Sequence, residues 1–140
     1  MTPLRGTALA AGRADAELVV LDEPLSFWGG SDVASGTIVD ARHPQAGRSL
    51  AGVVVALPDS RGSSSSSSVL AEQLRLGVAP AAVLLRRPDA IVTVAAIVAA
   101  ELYGIQLPIV VLDDAAFAQL AEATAAAVVA GEQAGEVTLR

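Results

Sequence analysis

The 140-residue sequence contains no cysteine and no lysine. Without cysteine the chain can form no disulfide, and it cannot by itself build a thiolate-ligated zinc or iron–sulfur centre. The single histidine, His43, excludes a multi-histidine metal site and a two-histidine proton relay. All nine basic residues are arginine, so no lysine is present to form a Schiff base or to bind phosphate in a Walker-A loop. We therefore expect this chain to bind no metal ion or other cofactor of its own.

Positive charge and long apolar runs are also scarce. The net charge of −6 at pH 7 argues against nucleic-acid binding, which requires clustered cationic side chains. The longest apolar run, residues 90–100, is interrupted by Thr93 and stopped by Glu101, which makes it too short to cross a bilayer. The N-terminal segment has no sustained apolar core of the kind found in signal peptides. We expect no nucleic acid and no membrane as partner, and a cytoplasmic location.

Hydrophobic residues make up 53% of the chain, which predicts a packed fold, and the length fits one domain over residues 1–140. The apolar patterning predicts strands first and then alternating strands and helices. The predicted strands cover residues 4–9, 17–21 (after a separating segment 12–15), 36–40, 53–57, 81–85, 109–112 and 136–139. The predicted helices cover residues 69–76, a buried stretch 90–103, and an alanine-rich segment capped by Asp113 or Asp114 and running to about residue 130. This order predicts an α/β fold with a mixed or partly parallel sheet and helices packed against it.

The central stretch, residues 53–77, joins an apolar run, a glycine-bearing turn and the serine tract 63–68. A serine tract alone is typical of a flexible, solvated linker. Here it lies between a predicted strand and a predicted helix that ends at Gly77. Free backbone N–H groups and the positive end of the helix dipole meet at such a junction and bind anions. The sequence therefore predicts an anion-binding site here, with a solvated serine loop as the alternative.

Arg61 and Ser63 are the candidate functional side chains of this junction. A serine hydroxyl needs activation, and aimed N–H groups with a neighbouring guanidinium can stabilise an alkoxide. Such a site suits removal of a proton next to a carboxylate, with Arg61 holding that carboxylate. It suits simple binding of an anion equally well, and the residues alone leave both open. A serine hydrolase is disfavoured because there is no G-x-S-x-G elbow and His43 would be the only base.

Two further features lie before the central stretch. Residues 27–30 place two aromatic side chains before two glycines, a pattern typical of a core plug or an interface anchor, and we favour the plug. Pro44 biases His43 away from helical backbone angles, which predicts a loop in which His43 is a hydrogen-bonded structural residue.

Several separated motifs resemble the small-subunit or swivel domain of the aconitase X family, and they occur in the family's order. They are LDEPLSFWGG at residues 21–30, Asp40 with His43-Pro44 and Gly47, RGSSSS at 61–66, VLAE at 69–72, Gly77 with APAA at 79–82, and IVAAELYG at 97–104. The similarity covers roughly residues 4–112. Ser60 departs from the pattern, because the family more often has glycine before the arginine.

This resemblance implies a swivelling β/β/α domain with a mixed or barrel-like sheet and packed helices, which closes over an active site carried mainly by a large subunit. The family are hydro-lyases, and their iron or iron–sulfur centre is bound by cysteines of the large subunit. The serine after Arg-Gly is the family's proton-abstracting base, which here is Ser63. Arg61, Gly62 and Ser64 would hold the substrate's carboxylate or the alkoxide.

The resemblance also implies a substrate. Bacterial relatives dehydrate cis-3-hydroxy-L-proline to a pyrroline-2-carboxylate, which is our leading expectation for this chain together with its large subunit. The small subunit of mevalonate 5-phosphate dehydratase is the alternative, although a phosphate substrate would favour more cationic residues than Arg61 alone. A third possibility is a non-catalytic anion-binding module of the same fold.

Overall fold

In a computed structural model, which describes residues 2–59 and 61–140, the strands form a closed barrel in the order β1-β5-β4-β3-β2-β6-β7. Ser60, the departure from the family pattern, lies outside the described residues. The strands are β1 (Leu4–Ala10), β2 (Gly12–Val20), β3 (Val54–Leu57), β4 (Ala82–Leu85), β5 (Ile109–Val111), β6 (Ala125–Ala130) and β7 (Ala134–Leu139). The helices are α1 (Phe27–Gly30), α2 (Ser65–Leu76), α3 (Ala90–Tyr103) and α4 (Asp114–Ala118), with a 3-10 turn over Gln119–Glu122. The predicted barrel-like mixed sheet with packed helices is confirmed.

Strands β2, β3, β4 and β5 run parallel to one another. The residues of β3 and β4 are all buried, because one face of these strands points into the barrel and the other lies under the helices. In β3, Val54 and Ala56 belong to the barrel interior, whereas Val55 and Leu57 pack in the outer core with α2 and α3. Burial on both faces explains why these strands are continuous apolar runs rather than alternating ones.

Helices α2 and α3 cover the outside of this parallel part. Asp89 caps α3, its side chain accepting a 2.9 Å hydrogen bond from the Ile91 N–H. Both helices end at a left-handed glycine, Gly77 and Gly104, as their sequences predict. The predicted helix over residues 90–103 is confirmed, but the expectation that it is buried holds for one face only, because Ile97, Leu102 and other apolar residues on the opposite face are exposed.

Strands β1, β6 and β7 are antiparallel to their neighbours and complete the barrel. In the described part of the chain seven strands surround the interior, a small number for a closed barrel, so small side chains such as Ala56, Ala82 and Ala126 fill much of it. Phe117 and Leu120, from α4 and the 3-10 turn that follows it, also pack into this interior cluster.

The predicted helix from Asp113 or Asp114 to about residue 130 is wrong in its second half. Asp113 does cap a helix, accepting a 2.8 Å hydrogen bond from the Ala116 N–H, but the helix ends at Ala118. Residues 125–130 instead form β6, which pairs with β2 and with β7. Ala126 and Val128 enter the barrel interior, so sheet pairing and burial override the helical propensity of alanine.

Two shorter predictions are also corrected. Residues 12–15, predicted to separate two strands, are the first part of β2 and pair with β6. Residues 36–40, predicted as a strand, form only isolated bridges, Ser31 to Ile38 and Thr37 to Ser49. None of the helices in residues 2–59 and 61–140 combines the length and apolar character that crossing a bilayer requires.

Candidate active site

A cleft of about 740 Å³ opens where the parallel strands β2 and β3 end. Ligands of parallel sheets commonly bind outside the carboxyl ends of the strands. Three segments line this cleft: residues 23–30 after β2, residues 40–42 of the following loop, and residues 61–63 after β3. Of the predicted site residues, Arg61, Gly62 and Ser63 line the cleft, and Ser64 is not among the lining residues.

Ser63 precedes Ser64, the N-cap residue of α2. Its Oγ accepts a 3.2 Å hydrogen bond from the Ser65 N–H, and its carbonyl accepts a 3.0 Å bond from the Ser66 N–H. The serines from Ser65 onward are therefore helical, and the tract is not a flexible linker. The Ser63 hydroxyl is exposed to the cleft at the positive end of a helix dipole, where negative charge on oxygen is stabilised.

Gly62 permits a close approach between the two walls of the cleft. Its φ of +112° lies in a region that side-chain-bearing residues rarely adopt. A Cβ at this position would lie 2.3 Å from Ser26 Oγ and 3.0 Å from Ser66 Oγ. The turn between Arg61 and Ser63 therefore requires glycine, because any side chain would push the two walls apart.

A buried hydroxyl joins these walls. Ser66 is 1% exposed, and its Oγ accepts a 3.0 Å hydrogen bond from the Trp28 N–H. Ser26 donates to the Trp28 carbonyl at 2.8 Å and lies 3.3 Å from Ser66 Oγ, so the Ser66 hydroxyl proton is the one that bridges the two serines. Both residues lie in motifs that carry the family resemblance, but sequence reasoning missed their contact, because no local pattern links side chains 40 positions apart.

The aromatic pair at the start of α1 divides between core and surface. Phe27 is 3% exposed and packs in the outer core, as the core-plug interpretation predicts. Trp28 is 59% exposed and lines the cleft, so for Trp28 the same interpretation is wrong. The backbone angles of Trp28 and Gly29 are not helical, and this break in the turn separates the two aromatic side chains.

Four charged side chains line the cleft: Glu23, Asp40, Arg42 and Arg61. The Asp40 carboxylate accepts a 3.0 Å hydrogen bond from the Arg42 N–H and lies 3.6 Å from the Arg42 Nε. The pKa of Asp40 is lowered chiefly by that backbone N–H, with smaller contributions from the Arg42 guanidinium and from the charge of Arg61. Sequence reasoning assigned no role to Glu23, Asp40 or Arg42, although all three lie in or beside the segments that carry the family resemblance.

His43 is a structural residue, as predicted. The ring is 5% exposed, and its Nδ1 accepts a 3.0 Å hydrogen bond from the Gln45 N–H. Its Nε2 lies 3.1 Å from the Glu23 carbonyl, so the ring carries its proton on Nε2 and donates it there. His43 thus fixes the backbone of the segment that places Glu23 on the cleft.

The described residues do not fit a metal centre. Within residues 2–59 and 61–140 no group of three or more His, Cys, Asp or Glu side chains could hold a metal ion. The cleft of this chain instead offers hydroxyl groups, backbone N–H groups and the four charged side chains named above.

Comparison with known proteins gives a consistent set of relatives. A family model described as "Aconitase X swivel domain" matches residues 3–139. A cis-3-hydroxy-L-proline dehydratase of Pseudomonas aeruginosa is 50% identical over 106 residues, covering 76% of this chain and 18% of that protein. A phosphomevalonate dehydratase small subunit of Thermococcus gammatolerans is 38% identical over 96 residues, covering 69% of this chain and 73% of that protein. The chain spans only about a fifth of the length of the cis-3-hydroxy-L-proline dehydratases that it matches.

The fold is shared with a solved structure as well. The crystal structure of Thermococcus kodakaraensis aconitase X in its holo-form superposes with a TM-score of 0.80 at 27% identity, covering 99% of each chain. The predicted resemblance is therefore confirmed by sequence and by fold. Because the family model extends over nearly every residue, this chain belongs to the aconitase X swivel domain family.

Proposed function

We propose that this chain is the small subunit of a hydro-lyase that dehydrates cis-3-hydroxy-L-proline to a pyrroline-2-carboxylate, with Ser63 as the base. The observation that carries the proposal is the position of Ser63 Oγ, which lies in the cleft at the N-terminus of α2 and accepts a hydrogen bond from the Ser65 N–H. The relatives named as dehydratases support the reaction class.

In this proposal Ser63 removes the proton from the carbon that bears the substrate carboxylate. An alkoxide at Ser63 would be stabilised by the Ser65 N–H and by the helix dipole, which lowers the cost of ionising the hydroxyl. The C–H electron pair forms the new carbon–carbon double bond as hydroxide leaves the neighbouring carbon. The proton taken by Ser63 and the departing hydroxide together account for one water. Arg61 would bind the carboxylate through charge-assisted hydrogen bonds, and Gly62 lets it lie beside Ser63.

The partner of this subunit would be a large aconitase X-type subunit. The name of the Thermococcus gammatolerans relative includes the words small subunit, which supports a two-chain enzyme. In the proposal the iron or iron–sulfur centre belongs to the large subunit, where a metal acts as a Lewis acid on the departing hydroxyl. Placing the base on one chain and the metal on another lets closure of the complex exclude water from the site.

The charges of the cleft support an imino acid over a phosphate ester. Its four charged side chains, two arginines and two carboxylates, sum to zero. A zwitterion with one carboxylate and one ammonium matches that balance, whereas mevalonate 5-phosphate carries a carboxylate and a phosphate and would require additional positive charge. The phosphomevalonate dehydratase small subunits, which this chain matches over most of their length, keep this second substrate as a candidate.

The test is reconstitution of the chain with its large subunit, followed by assays with each substrate. Ser63→Ala is expected to lower kcat for cis-3-hydroxy-L-proline by about a thousandfold while the two chains still assemble. Ser68→Ala, an exposed serine later in the same tract, is the matched control and should leave kcat unchanged. Normal turnover by Ser63→Ala would refute the base assignment. Turnover of mevalonate 5-phosphate but not of cis-3-hydroxy-L-proline would make mevalonate 5-phosphate the substrate. Turnover of neither compound would favour a non-catalytic anion-binding module.

A further inference from the structure

The four charged side chains that line the cleft differ in whether they form hydrogen bonds or ion pairs within the chain. Asp40 and Arg42 contact one another. By contrast, the Glu23 carboxylate and the Arg61 guanidinium form no hydrogen bond or ion pair with any residue in the described part of the chain, although both residues line the cleft. The cleft thus presents one anion and one cation that have no hydrogen-bonded or ion-paired partner among the described residues, although the Arg61 charge acts on Asp40 at longer range.

The backbone of Glu23 is held in place although its side chain has no partner. The buried His43 donates to the Glu23 carbonyl. Next to it, the Asp22 N–H donates a 2.9 Å hydrogen bond to the Gln45 side-chain oxygen, and Pro24 restricts the backbone of Glu23 to extended angles. A carboxylate without a protein partner contributes little to folding, yet the segment that carries it is anchored on both sides. Such anchoring is typical of a group that is positioned for a ligand.

We propose that Glu23 determines substrate class by accepting a hydrogen bond from the ammonium group of an amino or imino acid whose carboxylate Arg61 binds. This inference rests on the proposed function. It assigns to Glu23 the recognition of the substrate nitrogen, because neither Ser63 nor Arg61 binds that atom in the proposed reaction. Two opposite charges on one cleft fix both ends of a zwitterion, so the carbon between them faces a defined direction. The same carboxylate repels a phosphate group, so it disfavours phosphate esters.

The first experiment uses the reconstituted complex with cis-3-hydroxy-L-proline. Glu23→Gln keeps the shape of the side chain and removes its charge. Because one charge-assisted hydrogen bond to the substrate is lost, KM should rise about tenfold, with little change in kcat. Glu132→Gln, on an exposed residue of the β6–β7 turn, is the matched control and should leave both constants unchanged. A KM for Glu23→Gln equal to that of the wild type would overturn the proposal.

A second experiment separates this inference from the reaction itself. The reconstituted complex is titrated calorimetrically with L-proline and with tetrahydrofuran-2-carboxylate, which replaces the ring ammonium by oxygen. L-proline should bind more tightly than the ether to the wild type, by about tenfold, and equally to Glu23→Gln. Equal affinities in the wild type, or no binding of L-proline, would overturn the role of Glu23. If the preference for L-proline holds but the wild-type complex dehydrates nothing, the reaction is wrong and the ligand class stands.

Discussion

The two parts of the barrel differ in what they carry. The parallel strands β2 and β3 are followed by the loops that line the cleft, and the Arg61–Ser63 turn leads directly into α2. In the antiparallel part, β6 and β7 are joined by a short turn, residues 131–133. No residue of β1, β6 or β7 lines the cleft. In this fold, parallel pairing forces the chain to leave the sheet and return through a helix, and the departing segments are long enough to build a site.

The two parts are also held together differently. Around the cleft the segments are joined by hydrogen bonds between distant loops, such as Trp28 to Ser66, and by the glycine at position 62. In the antiparallel part the backbones and side chains pack against each other so closely that Gly6 and Gly135 leave no room for a Cβ. A substitution in the first part should therefore change activity, and one in the second part should change stability.

Among these substitutions, the largest loss of kcat is expected for a change at Gly62. Gly62→Ala places a Cβ against Ser26 Oγ and imposes a strained φ, so the Arg61–Ser63 turn must move. A displacement of about 1 Å at reacting groups lowers turnover by about a hundredfold, and the reconstituted complex should show that loss in kcat.

Gly52→Ala is the matched control for this prediction. Gly52 also has a positive φ, +72°, but a Cβ there meets nothing within 4 Å. Gly52→Ala should therefore introduce the same kind of backbone strain as Gly62→Ala without displacing the residues that line the cleft. Equal losses of kcat in the two variants would mean that strain alone explains the effect, and the contrast between the two parts of the barrel would fail.

The second prediction tests the antiparallel part. In Gly135→Ala the new Cβ would lie 2.6 Å from a methyl group of the buried Val110, and overpacking of this kind lowers the free energy of unfolding by about 1–3 kcal/mol. Urea unfolding should show the loss, whereas kcat and KM below the unfolding temperature should stay at wild-type values. Gly131→Ala, whose nearest neighbour would be 3.5 Å away, should be close to neutral. A fall in kcat for Gly135→Ala would show that the two parts are coupled.

The same division explains how much of the fold the sequence predicts. In the parallel part each strand is a short apolar run and each helix has its own end signals, such as Asp89 and Gly104, so local patterns predict β3 to β5 with α2 and α3. In the antiparallel part the narrow barrel selects alanine, which has a high helical propensity. The sequence of β6 consequently predicts a helix, and only its pairing with β2 and β7, which the sequence does not reveal, decides against one.

The candidate site divides in the same way. Arg61, Gly62 and Ser63 are adjacent in sequence, so one local pattern, a strand followed by a glycine turn and a helix start, is enough to predict them together. Glu23, Asp40 and the Ser26–Ser66 contact depend on which loops meet across the cleft. No periodicity or spacing contains that information, because it follows from the order of β2 and β3 in the barrel.

The smallest expected effect is the contribution of the Asp40 charge to the free energy of unfolding. The pKa of Asp40 is lowered in the folded chain, first by the Arg42 N–H and then by the Arg42 and Arg61 charges. A lowered pKa means that the ionised carboxylate stabilises the fold above its unfolded pKa, and that this stabilisation is lost as pH falls through the folded pKa. The difference in unfolding free energy between wild type and Asp40→Asn should therefore be small and positive at neutral pH and shrink below about pH 4, as measured by urea unfolding across that range.

Carboxyl NMR titration of Asp40 in two variants identifies the source of this effect. Because the backbone N–H of Arg42 is the largest cause and outweighs the opposing effect of partial desolvation, Arg42→Gln should keep part of the lowering of the Asp40 pKa. Arg61→Gln should raise the Asp40 pKa by still less, since the Arg61 charge is the smallest of the causes. A return of the Asp40 pKa to the ordinary aspartate value of 3.8 in Arg42→Gln would contradict this ranking. In that case the guanidinium, and not the loop backbone, would hold Asp40 ionised, and the cleft would depend on mobile side chains rather than on fixed loop geometry.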